Sequence, residues 1–275
     1  MKITAQQVNE LRKRTGAGMM DCKKALVESN GDMEKAIDIL RKKGQKIAAK
    51  RADRAADEGV ILAKVSADGG FAAALMINCE TDFVAKNSDF IAFVKSILDL
   101  AIENKAGNAD ELKALNLNGR TVEESIMDQT GIIGEKIELG RYEIVEAPAA
   151  FAYVHQGNRI AAIAGLNKSG DFSQVGKDVV MQIAAMSPVA VDKDDVPQTV
   201  IDHEIEIGKD QARQEGKPEA ILEKIAMGKL NKFFKENTLL NQAFIKDSKQ
   251  TVGQYLKAAD KDLTVTVFKR LALGV

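Results

Sequence analysis

The sequence has no tryptophan, two cysteines, two histidines and four prolines in 275 residues, and aromatics make up only 5%. Two cysteines, Cys22 and Cys79, are too few for a disulfide scaffold or a cysteine-based zinc site. The histidines, His155 and His203, fall in different predicted units, and neither has a partner at metal-ligand spacing. No metal or cofactor is expected. Thr15-Gly16-Ala17-Gly18 carries two glycines, but no GxxxxGK follows, so it reads as a helix stop and not as a phosphate cradle. No apolar run approaches the roughly 18 residues of a membrane span. The start Met1-Lys2-Ile3-Thr4 leads straight into a polar amphipathic pattern, which predicts no signal peptide and a cytoplasmic protein. With catalytic constellations this thin, the sequence predicts an interaction protein and not an enzyme.

What is present is charge, unevenly placed. Hydrophobic residues are 45% and charged residues 29%, with a net charge of −1. Residues 1–56 hold 14 Lys/Arg against 7 Asp/Glu, whereas the remainder holds 25 against 33. Such polarity suggests modules with different partners, or with a mutual one.

Residues 1–56 read as a basic module of three short helices and a linker. Thr4 and Gln7 form a capping box before Val8 and Leu11, and a second helix runs from about Met20 to Ser29. Asp32 caps a third, with Met33, Ala36, Ile37 and Leu40 at helical spacing, expected to close at Gly44. Lys46 to Arg54 is expected to be an exposed linker helix. Over residues 57–146 the texture changes: Gly59–Val65 and Phe71–Asn78 are strand-like runs around a turn, followed by a loop, Cys79–Ser88, and a helix from Asp89. Thr121 with Glu124 opens another helix, and Lys136–Val145 alternates as a strand. The order hairpin, loop, helix recurs at a spacing of roughly ninety residues, with Ala150–His155, Arg159–Leu166 and a helix from Ser173. This predicts an α+β protein with two related core subdomains, the second made of residues 147–191 and 237–275. Residues 192–236 are highly charged, with two apolar stripes separated by Gly216-Lys217-Pro218, which predicts an inserted antiparallel helical hairpin.

Two features stand out for an interaction protein. Met19 and Met20 directly follow the glycine break, and methionine pairs suit adaptable contact surfaces; at least one of them is also expected to fill the small core. Thr81-Asp82-Phe83-Val84 puts a large aromatic in a polar loop, either as an exposed wedge or folded back over the sheet. Cys22 lies beside Lys23 and Lys24, where a basic neighbourhood lowers a thiol pKa, although the structural reading of a lone cysteine is favoured.

The run Thr15-Gly16-Ala17-Gly18-Met19-Met20-Asp21-Cys22-Lys23-Lys24-Ala25-Leu26, followed by Asn30-Gly31-Asp32, closely resembles the N-terminal signature of the bacterial translation elongation factor Ts family. Asn78–Asn87, reading NCETDFVAKN, resembles that family's second signature, and the likeness extends to Thr251-Val252-Gly253-Gln254-Tyr255-Leu256. The resemblance implies a guanine-nucleotide exchange factor that binds elongation factor Tu in its GDP-bound and nucleotide-free states. It implies a ubiquitin-associated-like first module and a coiled-coil hairpin. It also implies contact roles for Met19, Met20 and His155, and displacement of the partner's Mg²⁺ by Thr81, Asp82, Phe83 and Val84. The sequence stops at Leu273-Gly274-Val275 without the helical extension of longer members, so a contact made by that extension is not expected here. A homodimer through the hairpin or the core is a further partner the sequence allows. The alternative reading is an RNA-binding translation protein using the basic module, but residues 1–56 contain no aromatic residue to stack on bases.

Overall fold

The computed structural model describes residues 3–274; Met1 and Lys2 of the opening segment, and Val275, lie outside the described residues. Three helices come first, α1 (Ala5–Thr15), α2 (Met19–Glu28) and α3 (Met33–Arg51). The Thr4 hydroxyl accepts from Gln7 N–H while the Gln7 side chain accepts from Thr4 N–H, the reciprocal cap that the spacing predicted. Gly16 ends α1 at φ 67°, and Asp32 caps α3 by accepting from Lys35 N–H. Val8, Leu11, Ala17, Cys22, Ala25, Leu26, Ala36 and Ile37 bury a small common core. Contrary to expectation, α3 does not close at Gly44, and no separate linker helix follows; one helix runs through Gly44 to Arg51.

The first sheet follows. β1 (Glu58–Val65) and β2 (Phe71–Cys79) pair antiparallel, with Glu58 opposite Cys79. Next come the four-residue α4 (Asp82–Ala85), α5 (Ser88–Asn104), α6 (Ala109–Ala114), the small ribbon β3 (Asn116–Leu117) with β4 (Arg120–Thr121), and α7 (Val122–Ile133). β5 (Glu138–Glu146) then adds to β2, giving the order β1-β2-β5. Both faces of β2 are buried, and its alternation divides its side chains between two cores. Phe71, Leu75 and Ile77 face Phe90, Val94, Ile97 and Leu98 of α5, while Ala72 and Ala74 face away.

Gly44 lies inside α3, where that helix meets α7. A Cβ added to Gly131 would sit 2.5 Å from the Gly44 Cα, so α3 and α7 cross backbone against backbone. In sequence, a glycine that ends a helix and one that sits inside a helix where another crosses it give the same signal. The crossing joins the N-terminal helices to the first sheet.

The second sheet is built from β6 (Ala149–Val154), β7 (Ile160–Leu166) and the last strand of the chain. Between β7 and that strand lie α8 (Ser173–Met186), α9 (Gln198–Gln214), α10 (Glu219–Asn237), the ribbon β8 (Ala243–Phe244) with β9 (Asp247–Thr251), and α11 (Val252–Ala259). β10 (Val265–Ala272) completes the order β10-β7-β6. Ala162, Ala164 and Leu166 of β7 face α8, and Ala161 and Ile163 face the first sheet. The two sheets meet through Ile61, Ala72, Ala74, Ala150, Ala161 and Ile163, with α5 and α8 on the outer faces. The result is a mixed α+β body layered helix, sheet, sheet, helix.

Helices α9 and α10 pack along each other, Gly208 against Ala226, with Ala212, Leu222 and Leu230 buried in the seam. The chain leaves and re-enters the body at one place. Val189 N–H donates to Asn237 O at 2.8 Å, and Leu239 N–H donates to Ala190 O at 2.9 Å.

Candidate functional site

The site begins where β2 ends. The sequence placed a loop over Cys79–Ser88, but one helical turn, α4, lies inside it. Thr81 caps that turn by accepting from Val84 N–H at 3.5 Å, and Asn87 then caps α5 by accepting from Asp89 N–H at 2.8 Å and Phe90 N–H at 3.2 Å. Val84 and Ala85 pack on the first core. Phe83 points the other way and is 83% exposed, more than any other exposed large hydrophobic side chain among the described residues. Of the two readings of this aromatic, the exposed one is observed. Asp82 pairs with Lys86 at 2.6 Å, and that hydrogen bond holds its carboxyl below the ordinary range.

Beneath the turn lies a reciprocal clasp. Glu135 Oε2 accepts from Glu80 N–H at 3.2 Å and Thr81 N–H at 3.0 Å, and Glu135 Oε1 accepts from the Thr81 hydroxyl at 2.7 Å. Glu80 answers by accepting from Lys136 N–H at 2.7 Å, and it also takes Arg51 at 2.7 Å and Arg54 at 3.2 Å. Burial of Glu80 opposes its ionisation, but the Lys136 N–H and the two guanidiniums outweigh that, leaving its pKa below the ordinary carboxylate range. The end of α3 is thereby tied to the residue preceding Thr81. The Cys79 thiol donates to Thr81 O at 3.2 Å, and burial, with Glu135 nearby, pushes its pKa up to about 12.

Both Met19 and Met20 are exposed, at 54% and 61%. The expectation that one fills the core is corrected: Ala17 and Cys22 on either side already occupy that space. Cys22 is fully buried, and desolvation raises its pKa against the lowering by the Thr15 hydroxyl and Arg12, so the structural reading holds. A groove of 660 Å³ separates the end of α1 from α4, with Arg14 and Gly16 on one side, Phe83 and Val84 on the other, and Ile132 and Ile133 from α7. The methionine pair therefore starts its helix three residues beyond one wall of the groove whose other wall carries Phe83.

His155 is exposed at the end of β6, with Nδ1 2.9 Å from the Tyr153 hydroxyl. Its turn is fastened to β1, since Ile61 N–H donates to Asn158 O at 2.8 Å and Arg159 pairs with Glu58. Glu58 stands opposite Cys79, so this turn and the Thr81–Val84 turn share one end of the body. Among the described residues, no group of three or more His, Cys, Asp or Glu is placed to hold a metal ion, and no helix is long and apolar enough to cross a membrane.

A family profile described as Elongation factor TS matches residues 80–275. The chain is 54% identical to elongation factor Ts of Christiangramia forsetii, with 99% of each chain covered. It is 51% identical to elongation factor Ts of Porphyromonas gingivalis over 100% of this chain and 99% of the relative. Against elongation factor Ts of Flavobacterium psychrophilum the identity is 48%, over 99% of each.

The chain belongs to the elongation factor Ts family.

The elongation factor Ts profile begins at Glu80, where the clasp begins, and runs through the hairpin to the last strand. The full-length elongation factor Ts relatives extend the match over the three N-terminal helices. Sequence reasoning singled out Thr81, Phe83 and the methionines but not Glu80, Glu135, Arg51 and Arg54, which hold the turn in place. Glu80 lies inside the quoted second signature, whereas Glu135 sits beside Gly134, and nothing in its neighbourhood announces a partner 54 residues away.

Proposed function

We propose that this elongation factor Ts family member is a guanine-nucleotide exchange factor that docks on GDP-bound elongation factor Tu and promotes GDP release in translation elongation. The observation that carries this reading is Phe83, 83% exposed on a turn capped by Thr81 and clasped to the body. In this mechanism Phe83, with Thr81, Asp82 and Val84, enters the partner's nucleotide domain and moves the groups that hold Mg²⁺. Without the cation the GDP phosphates lose their counter-charge, and release accelerates. Met19 and Met20 supply an adaptable apolar contact from the N-terminal module, and His155 contacts the partner from the second sheet.

Magnitudes set the division of labour. Each tenfold in rate requires about 1.4 kcal/mol off the barrier, and burying one Phe supplies roughly 1.5–3 kcal/mol. The wedge therefore accounts for one or two powers of ten, and further acceleration comes from an interface that favours the nucleotide-free partner. Coupling is reciprocal: the factor weakens GDP binding by the same ratio that GDP weakens factor binding, so rebinding of nucleotide expels the factor.

The same proposal treats residues 1–56 as a ubiquitin-associated-like docking module, 57–146 and 147–191 with 237–275 as related core subdomains, and 192–236 as an inserted coiled-coil arm. RNA binding by the basic module has little to support it. Arg14 pairs with Glu34, Lys43 with Asp21, and Arg51 and Arg54 with Glu80, so several of its cations are neutralised by the protein itself. A homodimer through the hairpin or core is tested by light scattering with and without residues 192–236.

The deciding experiment is stopped-flow release of fluorescent GDP from elongation factor Tu. Phe83→Ala at saturating factor is expected to release GDP about 10- to 100-fold more slowly than wild type. An unchanged maximal rate removes the wedge.

A further inference from the structure

We propose that Glu135 is a positioning residue for nucleotide exchange, the group that sets the direction in which Phe83 is presented. The inference rests on the reading of Phe83 given above. It starts from a mechanical problem. A four-residue helix cannot hold itself, because the first hydrogen-bonded turn fixes several dihedrals for a single bond. In α4 only Val84 and Ala85 touch the core, and Phe83 has almost no contact of its own. Its orientation is inherited from the cap at Thr81.

That cap in turn depends on Glu135. The Thr81 hydroxyl has one proton and two lone pairs. Glu135 Oε1 takes the proton at 2.7 Å, which leaves the oxygen free to accept from Val84 N–H. Glu135 Oε2 takes the N–H groups of Glu80 and Thr81, fixing the backbone that leads into the turn. One carboxylate thus orients both the hydroxyl that starts α4 and the chain that enters it.

Glu135 is itself immobilised on both sides. Gly134 closes α7 in the left-handed region at φ 81°, and Lys136 N–H is held by Glu80. The next N–H, that of buried Ile137, donates to the Thr130 hydroxyl at 3.1 Å. Ordering of this kind matters before docking, since a loose aromatic must surrender its freedom on binding and a fixed one has already done so.

Glutamine is the informative substitution. Its amide keeps one acceptor for the backbone N–H groups but presents an NH₂ where the second carboxylate oxygen stood, so either the hydroxyl proton or the backbone donors lose an acceptor. The experiment compares wild type, Glu135→Gln, Thr81→Ala, Phe83→Ala and the Glu135→Gln/Phe83→Ala pair in the GDP-release assay, reading maximal rate and half-saturating factor concentration separately. Glu135→Gln is expected to lower the maximal rate about tenfold, while the half-saturating concentration shifts less than about threefold, because the docking surfaces are untouched. Thr81→Ala is expected to reproduce the loss. In the Phe83→Ala background Glu135→Gln should add nothing, since a group acting through Phe83 has nothing left to act on. Amide hydrogen exchange at Val84, read on the free protein, should quicken in Glu135→Gln.

A wild-type maximal rate in Glu135→Gln, or a full further loss in the Phe83→Ala background, overturns the proposal. If Phe83→Ala itself releases GDP at the wild-type rate, the wedge reading falls and the exchange role of Glu135 falls with it. Faster exchange at Val84 then still shows that Glu135 holds the turn, and unchanged exchange removes that role as well.

Discussion

Glu80 and Glu135 each hold the chain at the other's end: Glu80 Oε1 accepts the N–H of Lys136, the residue after Glu135, at 2.7 Å, and Glu135 Oε2 accepts the Glu80 N–H at 3.2 Å. Two carboxylates this near each other would ordinarily repel, yet each is met by donors, and Arg51 and Arg54 add positive charge on the Glu80 side. The clasp closes a long excursion of the chain, from the end of β2 through α7 to the start of β5.

Acid weakens this clasp with a definite sign. The Glu80 pKa is lower in the folded protein than in the unfolded chain, so its stabilisation is complete above the unfolded value of about 4.3 and fades as pH falls through the folded value. In chemical denaturation at a series of pH values, Glu80→Gln is expected to be less stable than wild type at pH 7. The difference should shrink below about pH 4. A difference that is constant from pH 7 to pH 3 contradicts this account.

The helix crossing predicts an asymmetry between two glycines. An added Cβ at Gly131 meets the Gly44 Cα at 2.5 Å, whereas one at Gly44 meets the Gly131 Cα at 3.5 Å, an ordinary contact. Gly131→Ala is expected to cost about 1–3 kcal/mol. Gly44→Ala is expected to be neutral or to stabilise by up to about 1 kcal/mol through helix propensity. Urea unfolding midpoints of the two variants check the order.

Thiol chemistry reports the same compactness. Cys22 and Cys79 are both fully buried with raised pKa values, Cys79 to about 12. At pH 8 the native protein is expected to react with a disulfide reagent roughly a hundredfold or more slowly than the urea-unfolded chain. Fast labelling of one thiol in the native state would mean that its surroundings open readily.

Excision of the arm is a fourth test. Because Val189, Ala190 and Val191 are hydrogen-bonded to Asn237, Leu239 and Leu240, the body closes without the helices. Replacing residues 193–236 by a linker of about six Gly/Ser residues is expected to leave the body folded, with a thermal midpoint within a few degrees of wild type. Loss of cooperative unfolding would show that the helices contribute to the core.

Local chemistry made much of this molecule legible in the sequence. Thr4 with Gln7, Thr121 with Glu124 and Thr251 with Gln254 all form the capping boxes that their spacing announces. The strand-like run of β2 is visible as well, although the facing of Ala72 and Ala74 toward a second sheet is not, since no local signal says that both faces are covered. Gly44 was misread because a close approach depends on Gly131, 87 residues on. Met19 and Met20 were half misread, since whether a methionine enters a core depends on what already fills it. The exposed Phe83 was one of two readings, and its outcome depends on Thr81 and Glu135, which meet only in the folded chain.

The stapled exit and re-entry of the arm also sets how the protein can vary its span. Residues 190 and 238 stand side by side, joined as a parallel bridge, so α9 and α10 can lengthen or shorten together without disturbing the register of either sheet. Adding one turn to each helix would carry the tip outward by about 5.4 Å for roughly seven residues of extra chain. Reach is thereby an independently adjustable dimension of this architecture, set by the length of the arm and not by the body that bears it.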